Sequence, residues 1–100
     1  MAIEDVLSII CCQQRLKEKI KDLLLFLREG PMTKEEILKH LGLNQKQWEY
    51  IVTKLRKIYL LDGKHTENGY VYYISYEGFS MYLKMLRDTI YNLVKRREPF

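Results

Sequence analysis

The stretch from Thr33 to Asn44, ThrLysGluGluIleLeuLysHisLeuGlyLeuAsn, carries both ends of one short helix and the start of another. Thr33 followed three residues later by Glu36 is a capping box. The hydroxyl accepts from a free amide of the first turn, and the carboxylate accepts from the cap's own amide. Ile37, Leu38 and Leu41 recur at helical spacing and give this helix its buried side. Gly42 suits the left-handed backbone that ends a helix, Leu43 packs inward, and Asn44 caps the next helix. A helix this short, closed so tightly against its successor, cannot continue as one rod. The two must cross at a steep angle, as in a helix-turn-helix unit.

The second helix runs from about Gln45 to Ile58, with Trp48, Ile51, Val52, Leu55 and Ile58 on one face. The hydrophobic period then changes. Residues 59–64 and 70–75 are rich in β-branched and aromatic side chains and suit strands. Asn68-Gly69 between them is the strongest short signal for a hairpin turn.

Long helical stripes flank this middle section. Residues 3–29 read as helix, with Ile3, Val6, Leu7 and Ile10 and then Leu16, Ile20, Leu23, Leu24 and Leu27 at three- and four-residue steps. A bend near CysCysGlnGln divides it into an arm, 3–12, and a core helix, 14–29, which stops at Gly30-Pro31. Glu77-Gly78 breaks the second strand. A last helix covers 79–96 with a stripe of Phe79, Tyr82, Leu83, Leu86, Ile90, Leu93 and Val94. A chain of 100 residues has the length of one small domain, and exposed stripes of this kind ask for a second chain to cover them.

No apolar run reaches the length of a membrane span. The first residues carry Glu4 and Asp5 where a secretory leader carries Lys or Arg. Both point to an intracellular, cytoplasmic protein with no membrane partner. The net charge of +4 is unevenly placed. Residues 1–43 balance, whereas Lys46, Lys54, Arg56, Lys57 and Lys64 outnumber Glu49 and Asp62, and the tail after Glu77 is basic as well. A basic middle and tail suit an anionic partner. A lysine-rich solvated surface is the plainer alternative.

No Ser-His-Asp or Cys-His arrangement, metal-ligand spacing or glycine-rich phosphate loop occurs, so neither catalysis nor a metal site nor a cofactor is expected. No small-molecule effector is evident. The adjacent pair Cys11 and Cys12 leaves two readings open: small apolar fillers of a helix face, or an intermolecular disulfide across a dimer axis.

The segment ThrLysGluGluIleLeuLysHisLeuGlyLeuAsn with Gly42 at its turn, and the strand–AsnGly–strand unit after it, resemble a winged helix-turn-helix domain over roughly residues 14–76. The flanking helices look like the dimerisation helices of small archaeal, plasmid and archaeal-virus transcription regulators. IleSerTyrGluGlyPhe is similar to their exit from wing to final helix. The resemblance implies a mainly α fold with a β-hairpin wing (α+β) and long terminal dimerisation helices. It also implies a homodimer that binds double-stranded DNA as a transcription regulator. In such proteins the second helix of the unit enters the major groove.

Transferred to this chain, the base-reading side chains are Asn44, Gln45, Lys46, Gln47 and Tyr50. Asn and Gln amides match adenine, and Lys suits guanine. Thr53, Lys54 and Lys57 complete the outward face. Lys64 and His65 on the wing meet backbone or minor groove, and Lys34, Arg56 and Lys57 supply further phosphate contacts. The dimer interface falls to Ile3, Val6, Leu7, Ile10, Leu83, Leu86, Ile90 and Leu93. Glu49 fits this face poorly, since phosphates repel it. The competing expectation is a winged-helix protein–protein interaction module that does not bind DNA.

Overall fold

The bend expected near CysCysGlnGln is a full reversal. A computed structural model of the chain describes residues 1–11 and 13–96, and it opens with α1 (Ile3–Ile10) and α2 (Gln14–Leu27). The two run antiparallel. Lys17 Nζ donates to Ser8 Oγ at 3.2 Å, and Lys21 Nζ meets Glu4 Oε1 at 3.5 Å. Cys11 and Gln13 take extended backbone at the break. No Gly or Pro lies there, so the cause is tertiary. A continuous helix would leave the first stripe in water, whereas the reversal lays Leu7 and Cys11 into the core beside Leu16 and Ile20.

A short strand, β1 (Met32–Thr33), comes next, and then α3 (Lys34–Leu41) with its expected capping box. Thr33 Oγ1 accepts from the Glu36 amide at 3.2 Å, and Glu36 Oε1 accepts from the Thr33 amide at 3.0 Å. These bonds to Thr33, first the backbone amide and then the hydroxyl, hold the Glu36 carboxyl below its ordinary range. Gly42 ends α3 at φ 64°, where a side chain would be strained. α4 (Gln45–Lys57) starts at once behind Asn44.

The hairpin comprises β2 (Leu61–Thr66) and β3 (Gly69–Ile74). Both strands are displaced from the expected 59–64 and 70–75. Tyr59 and Leu60 are used to end α4, and their backbone amides bond back to Arg56 and Leu55. The turn differs too. Thr66 pairs with Gly69, so Glu67 and Asn68 form the loop. Only Gly69 among these has positive φ, and the Thr66 hydroxyl closes the loop by accepting from the Asn68 amide and donating to the Gly69 carbonyl.

β1 was not evident from the sequence. It pairs antiparallel with β3, Met32 with Tyr72 and Thr33 with Val71, to give a three-stranded sheet of order β1-β3-β2. The described chain is therefore mainly helical with a small antiparallel sheet, an α+β arrangement. Ile20, Leu23, Ile37, Ile51 and Leu55, all with no measurable exposure, join α2, α3 and α4 in one core. Trp48 locks α4 to the sheet, its ring edge-on to Tyr72 at 5.1 Å.

The final helix, α5 (Tyr76–Arg96), begins three residues before the expected Phe79 and runs through Gly78. Ser75 is the reason. Its hydroxyl accepts from the Gly78 amide at 3.0 Å, a helix cap that starts α5 before the glycine can interrupt it. Among the described residues no helix is long and apolar enough to cross a membrane.

Candidate nucleic-acid interface

The N-terminal turn of α4 is tied by its own side chains. Asn44 Oδ1 accepts from the Gln47 amide at 2.8 Å, and Gln47 Oε1 accepts from the Asn44 amide at 3.0 Å. This second capping box repeats the Thr33–Glu36 pattern. The spacing Asn44-x-x-Gln47 is legible in the sequence on the same grounds. Each amide commits its oxygen to the cap and keeps its NH2 for a partner, which is half of the donor–acceptor pair needed to grip adenine. Gln45 Nε2 donates to Glu49 Oε1 at 3.1 Å across one helical turn. Glu49, the residue that fitted this face least, orients Gln45.

Further along α4, Lys46, Tyr50, Thr53 and Lys57 succeed one another at steps of four, three and four, which puts them on one outward stripe opposite Trp48, Ile51 and Leu55. Lys46, Thr53 and Lys57 are exposed. Tyr50 is half-buried: its hydroxyl lies 3.7 Å from the Cys11 thiol, and the Lys54 ammonium sits 5.3 Å over its ring. Tyr50 therefore braces α4 against the end of α1, and only its outer edge faces the stripe.

On the other flank α4 is tied to the hairpin. Arg56 Nη2 donates to the Tyr70 hydroxyl at 3.0 Å and lies 5.9 Å from the Tyr72 ring. Tyr70 contacts Tyr72 and His65 edge-on, at 5.2 and 4.9 Å. Arg56, expected among the phosphate contacts, is thus a strut between α4 and the hairpin. Nothing short of the folded geometry marks it as one. Lys64 lies 5.5 Å over the Tyr73 ring, and Tyr73 in turn donates to Asp62 at 3.3 Å. Burial, reinforced by the Asp62 charge, pushes the Tyr73 hydroxyl up from its ordinary pKa. The structure brings His65, through Tyr70, next to the Arg56 end of α4, whereas Lys64 lies with Tyr73 and Asp62 on the other face of the hairpin. Asn44, Gln45 and Gln47 form a separate group at the other end of α4, about 18 Å along the helix.

His40, at the end of α3, stacks flat on Phe26 at 4.0 Å with its edge in solvent.

The residues expected at a dimer interface divide sharply. Leu7 is only 3% exposed and belongs to the core of its own chain, which corrects its assignment. Val6 and Ile10 are half-buried, Ile10 against that core, and Ile3 is exposed. The cause is again the α1–α2 reversal, which turns the arm inward. By contrast Leu83, Leu86, Ile90 and Leu93 are 48, 42, 60 and 64% exposed, an uncovered stripe along α5. Cys11 is 2% exposed, with its thiol directed to the Gln13 carbonyl and the Tyr50 hydroxyl. It fills a gap in the core, and a bridge between chains through it would require α1 to lift away. Cys12 lies outside the described residues.

Compared with protein-family models, curated proteins and solved structures, the chain matches none. What it does rests on its own geometry.

Proposed function

We propose that this chain is a winged helix-turn-helix protein that binds double-stranded DNA in a sequence-dependent way, as a homodimeric transcription regulator in the cytoplasm. α4 would lie in the major groove, with the β2–β3 hairpin as the wing on adjacent backbone or minor groove. The observation that carries the reading is the outward stripe of α4. A helix fixed to the core by Trp48 presents Lys46, Thr53 and Lys57 to solvent, and Gln45 is held in one orientation by Glu49. A rigid, exposed, basic and amide-bearing helix face is what major-groove readout needs. The glycine turn before α4 and the hairpin after it support the same reading, as does β1, whose pairing with β3 fastens the start of α3 to the hairpin.

Homodimerisation is supported by the uncovered stripe of α5. Two copies joined there would present two α4 helices to half-sites about one helical turn apart, near 34 Å. The test is fluorescence anisotropy of a labelled duplex in 50 mM salt. Saturable binding is expected. A flat titration would favour the protein-interaction module instead.

A further inference from the structure

Two residues in this chain are placed against their own local preference, and both meet at one contact. Tyr59 is the only non-glycine residue with positive φ among those described, at 60°. It occupies the position after the α4 C-cap, where glycine is the unstrained choice, and a tyrosine there carries a backbone strain cost. Burial does not offset that cost, because Tyr59 is 55% exposed. Gly78 has the opposite problem. It sits in the first turn of α5, where glycine weakens a helix relative to alanine.

The contact explains both. The Tyr59 ring lies 5.9 Å from that of Tyr82, one turn further along α5 than Gly78. A β-carbon at Gly78 would fall 2.6 Å from the Tyr59 carbonyl oxygen and 2.8 Å from Ser75 Oγ. Glycine lets the first turn of α5 close on the end of α4 without a β-carbon meeting the Tyr59 carbonyl, and from there the Tyr59 ring reaches Tyr82. Beyond this point α5 is exposed along nearly its whole length.

We propose that Tyr59, Gly78 and Tyr82 form a joint that fixes the direction of α5 relative to α4. In a dimer held by α5 the joint sets the distance between the two α4 helices, and so selects the spacing of DNA half-sites. That second step rests on the DNA-binding reading; the rigid joint does not. Tyr59, Gly78 and Tyr82 are positioning residues that touch no DNA. Their effect shows in spacing, not in the grip of one α4 on one half-site.

The experiment has two arms, both on the full chain. In the first, NMR residual dipolar couplings are measured for the amides of α4 and α5. The wild type fits one alignment tensor across both helices. Gly78→Ala, and the pair Tyr59→Gly/Tyr82→Ala, each require two. Tyr59→Gly relieves the local strain, so the paired variant keeps its fold, and Tyr59→Phe keeps the ring and fits one tensor. A wild type that needs two tensors, or loosened variants that still fit one, overturns the joint. In the second arm, binding is compared across duplexes whose two half-sites are separated by spacers of different length. A rigid dimer loses roughly a hundred- to ten-thousandfold in affinity on the wrong spacer, because the second head cannot engage. The loosened variants flatten this preference and bind a single half-site as well as the wild type. An unchanged preference in those variants overturns the role in spacing. If the wild type binds no duplex, the DNA-binding reading fails with its spacing consequence, and the couplings alone decide the joint.

Discussion

Lys57→Ala gives the most quantitative handle on the proposed interface. Lys57 is exposed at the C-terminal end of the outward stripe of α4 and makes no ion pair among the described residues. With Lys46, Lys54 and Lys64 it makes four lysines per protomer on α4 and the hairpin, hence eight in a dimer. Each phosphate neutralised contributes about −0.9 to the slope of log affinity against log salt, so the wild type should show a slope of about −7. Between 50 and 200 mM salt that is a loss of roughly ten-thousandfold. Lys57→Ala removes two contacts per dimer, and the slope should ease to about −5. Affinity should fall by the same factor on every sequence, because a phosphate contact carries no base information. Anisotropy titrations at four or so salt concentrations, on one selected and one random duplex, read both quantities. A wild-type slope shallower than about −3 would refute the assignment of these lysines to phosphates, as would a Lys57→Ala slope equal to that of the wild type.

Four further outcomes rest on named residues. Asn44→Ala should cost about 1 kcal/mol of stability in urea denaturation, because the α4 cap is lost; Gln45→Ala should leave stability alone and flatten the preference for one duplex over another. Equal loss on both duplexes in Gln45→Ala would mean that this side chain does not read bases. The Glu36 carboxyl is depressed in the folded chain, so its contribution is complete above the unfolded carboxylate range and is lost as pH falls through the lower folded value. Acid denaturation monitored by circular dichroism should therefore show a shallower acid limb in Glu36→Gln, which keeps a hydrogen-bonding group without the titration; an identical limb would remove Glu36 from the account. Ile90→Glu, in the middle of the α5 stripe, should turn a dimer into a monomer by light scattering at micromolar concentration. A wild type that is already monomeric would sink the paired half-sites.

How much of the fold and the interface was legible from residues alone depended on how local the cause was. The Thr33–Glu36 cap, the Gly42 stop and the inward face of α4 were readable because each is fixed by atoms within one or two helical turns. The second cap, Asn44 with Gln47, has the same spacing and the same physics, and it reassigns two side chains that otherwise look like pure base readers. The features that were missed have partners far along the chain. A bend near CysCysGlnGln was legible, but its closing into a full reversal comes from burial of Leu7 and Cys11, with no breaker residue to mark it. β1 is two residues defined by Tyr72 and Val71 across the sheet. Gly78 signals a helix end unless one knows that Ser75 caps ahead of it and that Tyr59 needs the space. Arg56 looked like any surface cation, and only the approach of the hairpin makes it a strut.

The central claim is that α4 reads duplex DNA as one of a pair. Selection of bound sequences from a random duplex pool tests it most directly. The account predicts enrichment of two inverted half-sites at one dominant spacing, about a helical turn from centre to centre. A pool that stays random after repeated rounds, or that enriches a single unpaired site, would contradict it.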